Sequence, residues 1–324
     1  METIQTKVRE RPMSDYILNM LPVNEEEKQE FEAIAPQATH VYAGRRTVTP
    51  EQLAAATIIF GWPRPRDLAT AKNLKWFQTM WAGTDEYMGD GILPQGALFT
   101  SSSGSNSLSV AEHMLASLLA LCRRLPTYRD NQRAHLWKDE GAMKAVFGST
   151  VLVVGAGHIG SDFAARCRSL GAKTMGVKRK VTGDVEGFDQ VFPMEELDTL
   201  LPQADVVALV LPHSPQTVHL MNEERIALMK DDAILLSDGR GTVLDQEALV
   251  RAMEGGKLWG AALDVVETEP LPEDSPLWDI PNLLITPHVA GGMRLEITRK
   301  TCIRMAQDNL RRYLAGEPLV NRVK

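Results

Sequence analysis

Long apolar runs are missing from this 324-residue chain: stretches such as Ala204 to Leu211 fall far short of the ~20 residues a membrane span needs. Cysteine is scarce. Cys122, Cys167 and Cys302 are too far apart for a disulfide framework and lack metal-ligand spacing, so no metal site is expected. Basic blocks are absent too. With 35 Lys and Arg against 42 Asp and Glu the net charge is -7, which argues against nucleic acid or anionic membrane as the main partner. The N-terminal METIQTKVRERPM has no apolar stretch of the secretory type. These absences fit a soluble protein of a reducing cytoplasm. There is no low-complexity run and no internal repeat.

What is present is ordinary globular composition, 44% hydrophobic and 24% charged, in a chain long enough for two domains. From residue 150 onward short apolar runs alternate with helical patterns. Strands are expected at Thr150–Val154, Lys173–Val177, Asp205–Leu211, Ala233–Ser237, Trp259–Leu263 and Leu283–Thr286. Helices are expected between them at His158–Leu170, Met194–Leu200, Asn222–Met229 and Asp245–Met253. Continuously apolar strands separated by helices predict a parallel sheet covered on both faces, a doubly wound α/β fold. The first hundred residues read as a smaller open α/β domain of flavodoxin-like type. Its strands are expected at Tyr16–Met20, His40–Tyr42, Thr57–Gly61, Lys75–Thr79 and Leu98–Ser101, with a helix over Glu25–Ala35. A long apolar helix, Leu108–Leu125, is expected to start at a Ser107 cap and stop at Pro126. The amphipathic Leu295–Leu314, closed by Gly316, follows the last strand and is expected to return to the first domain. The expected division is 1–103 with 289–324 for the substrate domain and 104–288 for the dinucleotide-binding domain.

Gly155-Ala156-Gly157-His158-Ile159-Gly160 follows the first strand of the second region and opens a helix. Gly155 permits the tight turn, Gly157 lets a pyrophosphate approach the backbone, and Gly160 lets helix and strand pack closely. A dinucleotide is expected here; on this motif alone S-adenosylmethionine also fits. Where an NAD site carries an acidic residue after the second strand, this chain has Lys178-Arg179-Lys180, and the nearest carboxylate is Asp184 beyond Gly183. The cations suit a 2′-phosphate, so NADP is favoured over NAD. The alternative is a solvated basic turn.

Three further residues follow three strands: Arg240 in SDGRG, Glu269 in DVVETEP and His288 in ITPH. Ligands of doubly wound sheets bind outside the carboxyl ends of the strands. A guanidinium there can hold a carboxylate and polarise a carbonyl, and an imidazole can give its oxygen a proton. A carboxylate can pair with the imidazole, orient it and favour its protonated form. Singly, each reads as an ordinary loop residue; together with the glycine loop they describe hydride transfer between nicotinamide and the C2 position of a small 2-oxo or 2-hydroxy acid.

The segments LKWFQTMWAGTDEYM, SLSVAEHMLASLLALCRR, VLVVGAGHIG, ADVVALVLPHSPQT, LMKDDAILLSDGRG, ALDVVETEPL and ITPHVAGG resemble the D-isomer-specific 2-hydroxyacid dehydrogenase family over nearly the whole chain. The resemblance makes Arg240 the substrate-binding arginine, His288 the general acid/base and Glu269 its partner. It sets Asp264 near the nicotinamide or in support of the histidine, and Pro212 and Thr217 along the cofactor. It gives Trp81-Ala82-Gly83 to the loop that binds the substrate carboxylate, with Trp81 bulkier than the small or polar residue usual there. SDGRG stands where the family has N-x-x-R-G. Trp81, Met293 and the region of Met13 are candidate specificity positions. A homodimer built on Leu108–Leu125 and the segment after it is also implied, with Trp137 reaching toward the partner's site; the alternative is a helix buried internally. A dinucleotide-sensing corepressor is the competing function, and a methyltransferase would leave Arg240, Glu269 and His288 without a common role.

Overall fold

The computed structural model describes residues 14–181 and 183–324, so the region of Met13 lies outside the described residues. Two compact units divide the chain. The first takes the described residues up to Ser103 together with Arg299–Lys324, and the second takes Gly104–Thr298.

In the first unit β1 (Tyr16–Asn19), β2 (Thr39–Tyr42), β3 (Ile58–Gly61), β4 (Trp76–Thr79) and β5 (Leu98–Thr100) form a parallel sheet of order β2-β1-β3-β4-β5. β3 and β4 are buried along their whole length, as apolar strands covered on both faces must be. Two short helices that periodicity misses, α2 (Pro50–Ala55) and α3 (Pro65–Leu68), join α1 (Glu25–Ile34) around this sheet. Both begin at a proline in the first turn, where a missing N–H costs nothing. The β5 edge is closed by the chain terminus: Val323 N–H donates to Phe99 O at 2.7 Å, and Phe99 N–H to Lys324 O at 3.0 Å.

In the second unit α4 (Ser107–Cys122) leads into α5 (Leu125–Arg133). The expectation of one helix stopped by Pro126 is corrected here. Arg124 turns left-handed at φ 53, and Pro126 sits in the first turn of a new helix instead of ending the old one. Ser107 is likewise a helical residue and not the cap; Asn106 holds that position. A seven-stranded sheet follows, from β6 (Thr150–Val154), β7 (Lys173–Lys178), β8 (Gln190–Pro193), β9 (Val206–Leu209), β10 (Ala233–Ser237), β11 (Leu258–Leu263) and β12 (Leu283–Ile285). Its order is β12-β11-β10-β9-β6-β7-β8, every pair parallel. That is one strand more than the pattern gave. β8 escapes notice because it is an edge strand with no buried residue, and so has no apolar run to announce it.

The helices α6 (His158–Ser169), α7 (Leu197–Leu200), α8 (Glu223–Leu228) and α9 (Gln246–Glu254) connect these strands. Side-chain oxygens of Asn222 and Asp245 cap α8 and α9, each accepting an amide three residues on. α4 packs on α6, and Val110, Met114, Leu118 and Leu121 are buried with Val151, Val153 and Ala208 of the sheet. Another core, on Leu152, Val207, Leu235 and Leu263, includes residues of α7, α8 and α9. The last helix, α10 (Glu296–Ala315), supplies the first unit from Arg299 on. There Arg299 pairs with Glu27 at 2.7 Å, Tyr313 stacks on Trp76, and Ile303, Ala306 and Leu310 are buried. The division at Thr298–Arg299 lies ten residues beyond the expected 288/289, and Val289 and Ala290 belong with the second unit because both donate to Asp264.

Candidate active site

The order of the second sheet reverses direction at β6, so the crevice for a ligand lies at the carboxyl ends of β6 and β9. Here the three glycines of the loop behave differently. A Cβ on Gly155 (φ 119) would stand 2.8 Å from Val210 O, and one on Gly160 would stand 2.3 Å from Gly155 O. These two are required by the protein's own packing. A Cβ on Gly157 would meet nothing within 4 Å, so that glycine keeps a cradle open at the start of α6. The first amides of a helix have no intrahelical partner and carry positive potential, which suits a pyrophosphate. His158 is exposed, Ile159 half-buried and Gly160 buried. The residues present therefore fit a dinucleotide.

At the end of β7, Lys178 is half-buried, and Arg179 and Lys180 just beyond it are exposed. After β9, Thr217 Oγ1 donates to Pro212 O at 2.8 Å, which closes a compact loop over Pro212–Thr217. Asp184 is exposed.

Arg240 stands after β10 between two glycines that no other residue could replace without a shift of backbone. A Cβ on Gly239 would lie 2.5 Å from Leu211 O, and one on Gly241 would lie 2.0 Å from Val266 O. The close approach of the segments after β9 and β11 thus fixes the backbone on both sides of Arg240. Its Nη1 donates to Gly239 O at 2.9 Å. Asp238, just before, donates its amide to Leu209 O. Burial, reinforced by the nearby Asp264 carboxylate, pushes its carboxyl well above the usual carboxylate range.

Glu269 and His288 come together. Glu269 Oε2 lies 2.8 Å from His288 Nδ1, and Glu269 Oε1 accepts the Val266 amide at 3.2 Å. Both side chains are partly exposed, 48% for His288 and 38% for Glu269, so the imidazole is open to a reactant. His288 has φ 50, a left-handed backbone that costs a residue with a Cβ about 1 kcal/mol and persists only when neighbours hold it.

Asp264 does the holding. It is 4% exposed, and its Oδ1 accepts the Thr286 hydroxyl at 2.6 Å and the Val289 amide at 2.9 Å. Its Oδ2 accepts the Ala290 amide at 2.9 Å, and its own carbonyl accepts His288 N–H at 2.8 Å. Of the two places expected for Asp264, its contacts fit the support of the histidine loop. Two α4 residues touch the same loop, which reading the sequence missed: Ser109 Oγ donates to Ala290 O at 2.6 Å, and His113 Nε2 lies 3.0 Å from Thr286 Oγ1. The only signal was their place in SLSVAEH, and no spacing rule links them to a loop more than 170 residues on.

Within the first unit, Trp81 follows β4. Its ring meets Trp62 edge to face at 5.4 Å, and the Arg45 guanidinium covers the Trp62 ring at 3.7 Å. The Trp62 indole N–H donates to Glu86. The Trp81 amide donates to Thr79 Oγ1, and Trp81 O accepts the Ser102 amide at 3.0 Å. Trp81, Ala82 and Gly83 are all half-buried, as is Met293 in the second unit.

Residues 115–290 match the family model of the D-isomer specific 2-hydroxyacid dehydrogenase, NAD binding domain. The chain is 34% identical to glyoxylate/hydroxypyruvate reductase B of Pectobacterium carotovorum, over 77% of this chain and 79% of that protein. It is 35% identical to D-3-phosphoglycerate dehydrogenase of Mycobacterium tuberculosis over 77% of this chain, and spans 47% of that longer protein. A D-isomer specific 2-hydroxyacid dehydrogenase of Xanthobacter autotrophicus Py2, solved with NADPH and MES, matches at TM-score 0.79 and 30% identity, covering 96% of this chain and 98% of that one. The fold and the glycine loop define a parallel-sheet, dinucleotide-binding α/β protein. The chain belongs to the D-isomer specific 2-hydroxyacid dehydrogenase family.

Proposed function

We propose that the chain reduces a small 2-oxo acid to the D-2-hydroxy acid, and catalyses the reverse, with NADP favoured over NAD. The observation that carries this reading is the Glu269–His288 pair at 2.8 Å, on the same sheet edge as Arg240 and the glycine loop. When bound, the dinucleotide supplies and accepts the hydride at nicotinamide. Gly155, Gly157, His158, Ile159 and Gly160 hold its pyrophosphate, and Pro212 and Thr217 line its path.

Arg240 grips the substrate carboxylate and polarises the C2 carbonyl through its planar fork. Glu269 occupies His288 Nδ1, which leaves Nε2 as the nitrogen that hands the proton to the C2 oxygen and takes it back in reverse. Asp264 keeps that imidazole in place. The Trp81 amide is committed to Thr79, so the amides of Ala82 and Gly83 carry the substrate carboxylate on their side. Trp81, whose ring is braced by Trp62, is the position at which substrate size is set in this reading. A sensor without turnover would have no use for a paired, accessible imidazole. We propose further that the protein works as a homodimer.

Absorbance at 340 nm with NADPH and a panel of 2-oxo acids tests the reading. His288→Ala should lower turnover about a hundredfold or more and leave NADPH affinity unchanged. Near wild-type turnover in that variant would remove His288 from the role of proton donor.

A further inference from the structure

We propose that His113 and Ser109, four residues apart on α4, are positioning residues for His288. The inference rests on the reading of His288 as the acid–base group. The two side chains touch the loop on either side of the histidine: His113 reaches Thr286, and Ser109 donates to Ala290 O at 2.6 Å. A spacing of four residues brings both onto one face of the helix, so a single rigid element clamps both ends of the loop.

The hydrogens can be assigned by elimination. Thr286 has one hydroxyl hydrogen, and at 2.6 Å from a carboxylate that hydrogen goes to Asp264 Oδ1. The Thr286 oxygen can then only accept from the ring nitrogen 3.0 Å away, so His113 carries a proton on Nε2. The same nitrogen lies 3.8 Å from Asp264 Oδ1, where its positive N–H end faces a carboxylate that is 4% exposed. A buried carboxylate needs such donors, since each one missing leaves charge desolvated and uncompensated. The chain His113–Thr286–Asp264 ends on the Val289 and Ala290 amides, next to a residue whose φ of 50 must be imposed from outside.

The test compares His113→Leu, which removes the donor, with His113→Gln, whose amide nitrogen stands the same number of bonds from Cβ. Hydrogen exchange of the Val289 and Ala290 amides is read alongside kinetics. In His113→Leu these amides should exchange about tenfold faster or more, and kcat should fall about tenfold while the KM for NADPH stays within about twofold. His113→Gln should restore most of both, and Ser109→Ala should give a smaller loss of the same kind. Wild-type exchange in a folded His113→Leu, or equal damage from Leu and Gln, would overturn the assignment. Should His113→Leu not fold, Ser109→Ala and His113→Gln decide by the same two readouts. If the wild type reduces no 2-oxo acid, the functional reading falls, while the exchange comparison still decides the positioning role.

Discussion

Asp238 is set apart from the other residues of its edge by what surrounds its carboxyl group. Burial and the adjacent Asp264 carboxylate both disfavour its charged form, so the folded protein binds its proton more tightly than the unfolded chain does. A group raised in this way contributes its full stability below the ordinary carboxylate value near ~4, and loses it as pH climbs through the raised value. Asp238→Asn keeps the shape and removes the charge. Its melting temperature should therefore exceed that of wild type by more at pH 8 than at pH 4; an equal difference at the two pH values would show that Asp238 is not penalised in the fold. Trp81 permits a second test at this scale. With the ring cut back, Trp81→Ala should raise kcat/KM for phenylpyruvate relative to glyoxylate by about tenfold or more, since even one methylene in a pocket is worth about 10- to 200-fold. An unchanged ratio would mean that Trp81 does not bound the substrate. The positions of Arg240, Glu269 and His288 after β10, β11 and β12 were legible in the sequence because each follows a strand of apolar character. The His113–Thr286–Asp264 chain was not, because it closes across 173 residues between His113 and Thr286 and depends on how a helix lies against a loop.

Strands were legible where the sequence carries a continuous apolar run, and β12 was read this way from Leu283-Leu284-Ile285 although none of these residues is fully buried. β6, β9, β10 and β11 are apolar along their length and fall within two residues of the expected bounds, whereas β8, with nothing buried, was invisible. Pro126 shows the other limit: a proline is read as a stop or a start only once the chain ahead of it is known to leave the helix, as it does two residues earlier at Arg124. The end of β7 is the element on which cofactor choice turns. Lys178, Arg179 and Lys180 follow one another with Lys178 half-buried and its two neighbours exposed. Exposed cations are worth little to stability, so their service is to a ligand anion or to none. Arg179→Ala should raise the KM for NADPH about tenfold and change that for NADH much less, and added salt should weaken NADPH binding more than NADH binding. Equal catalytic efficiency of the wild type with both cofactors would return these residues to the role of a solvated turn.

The whole molecule carries an apolar surface that the second unit does not use. α4 buries Val110, Met114, Leu118 and Leu121 against its own sheet and α6, which accounts for one face of an unusually apolar helix. What remains lies at its end and beyond it: Leu119, Leu125, Leu136, Met143, Phe147 at 80% exposure and a fully exposed Trp137. α5 buries none of its residues, and a nine-residue helix has little stability of its own in water. In the proposed homodimer this segment is covered by a second copy of this chain. Trp137 and Phe147 alone would remove on the order of 300–400 Å² from water, about 8–10 kcal/mol before the cost of association. Light scattering at micromolar concentration should then give twice the 35.8 kDa chain mass. Trp137→Glu together with Phe147→Glu should shift the protein to one chain mass, because a charge buried in an apolar contact is left without a partner. Far-ultraviolet circular dichroism of the double variant should lose no more helix than the nine residues of α5 and keep the rest of the wild-type content. A single-chain mass for the wild type would instead leave this segment as an exposed apolar arm and end the case for the dimer.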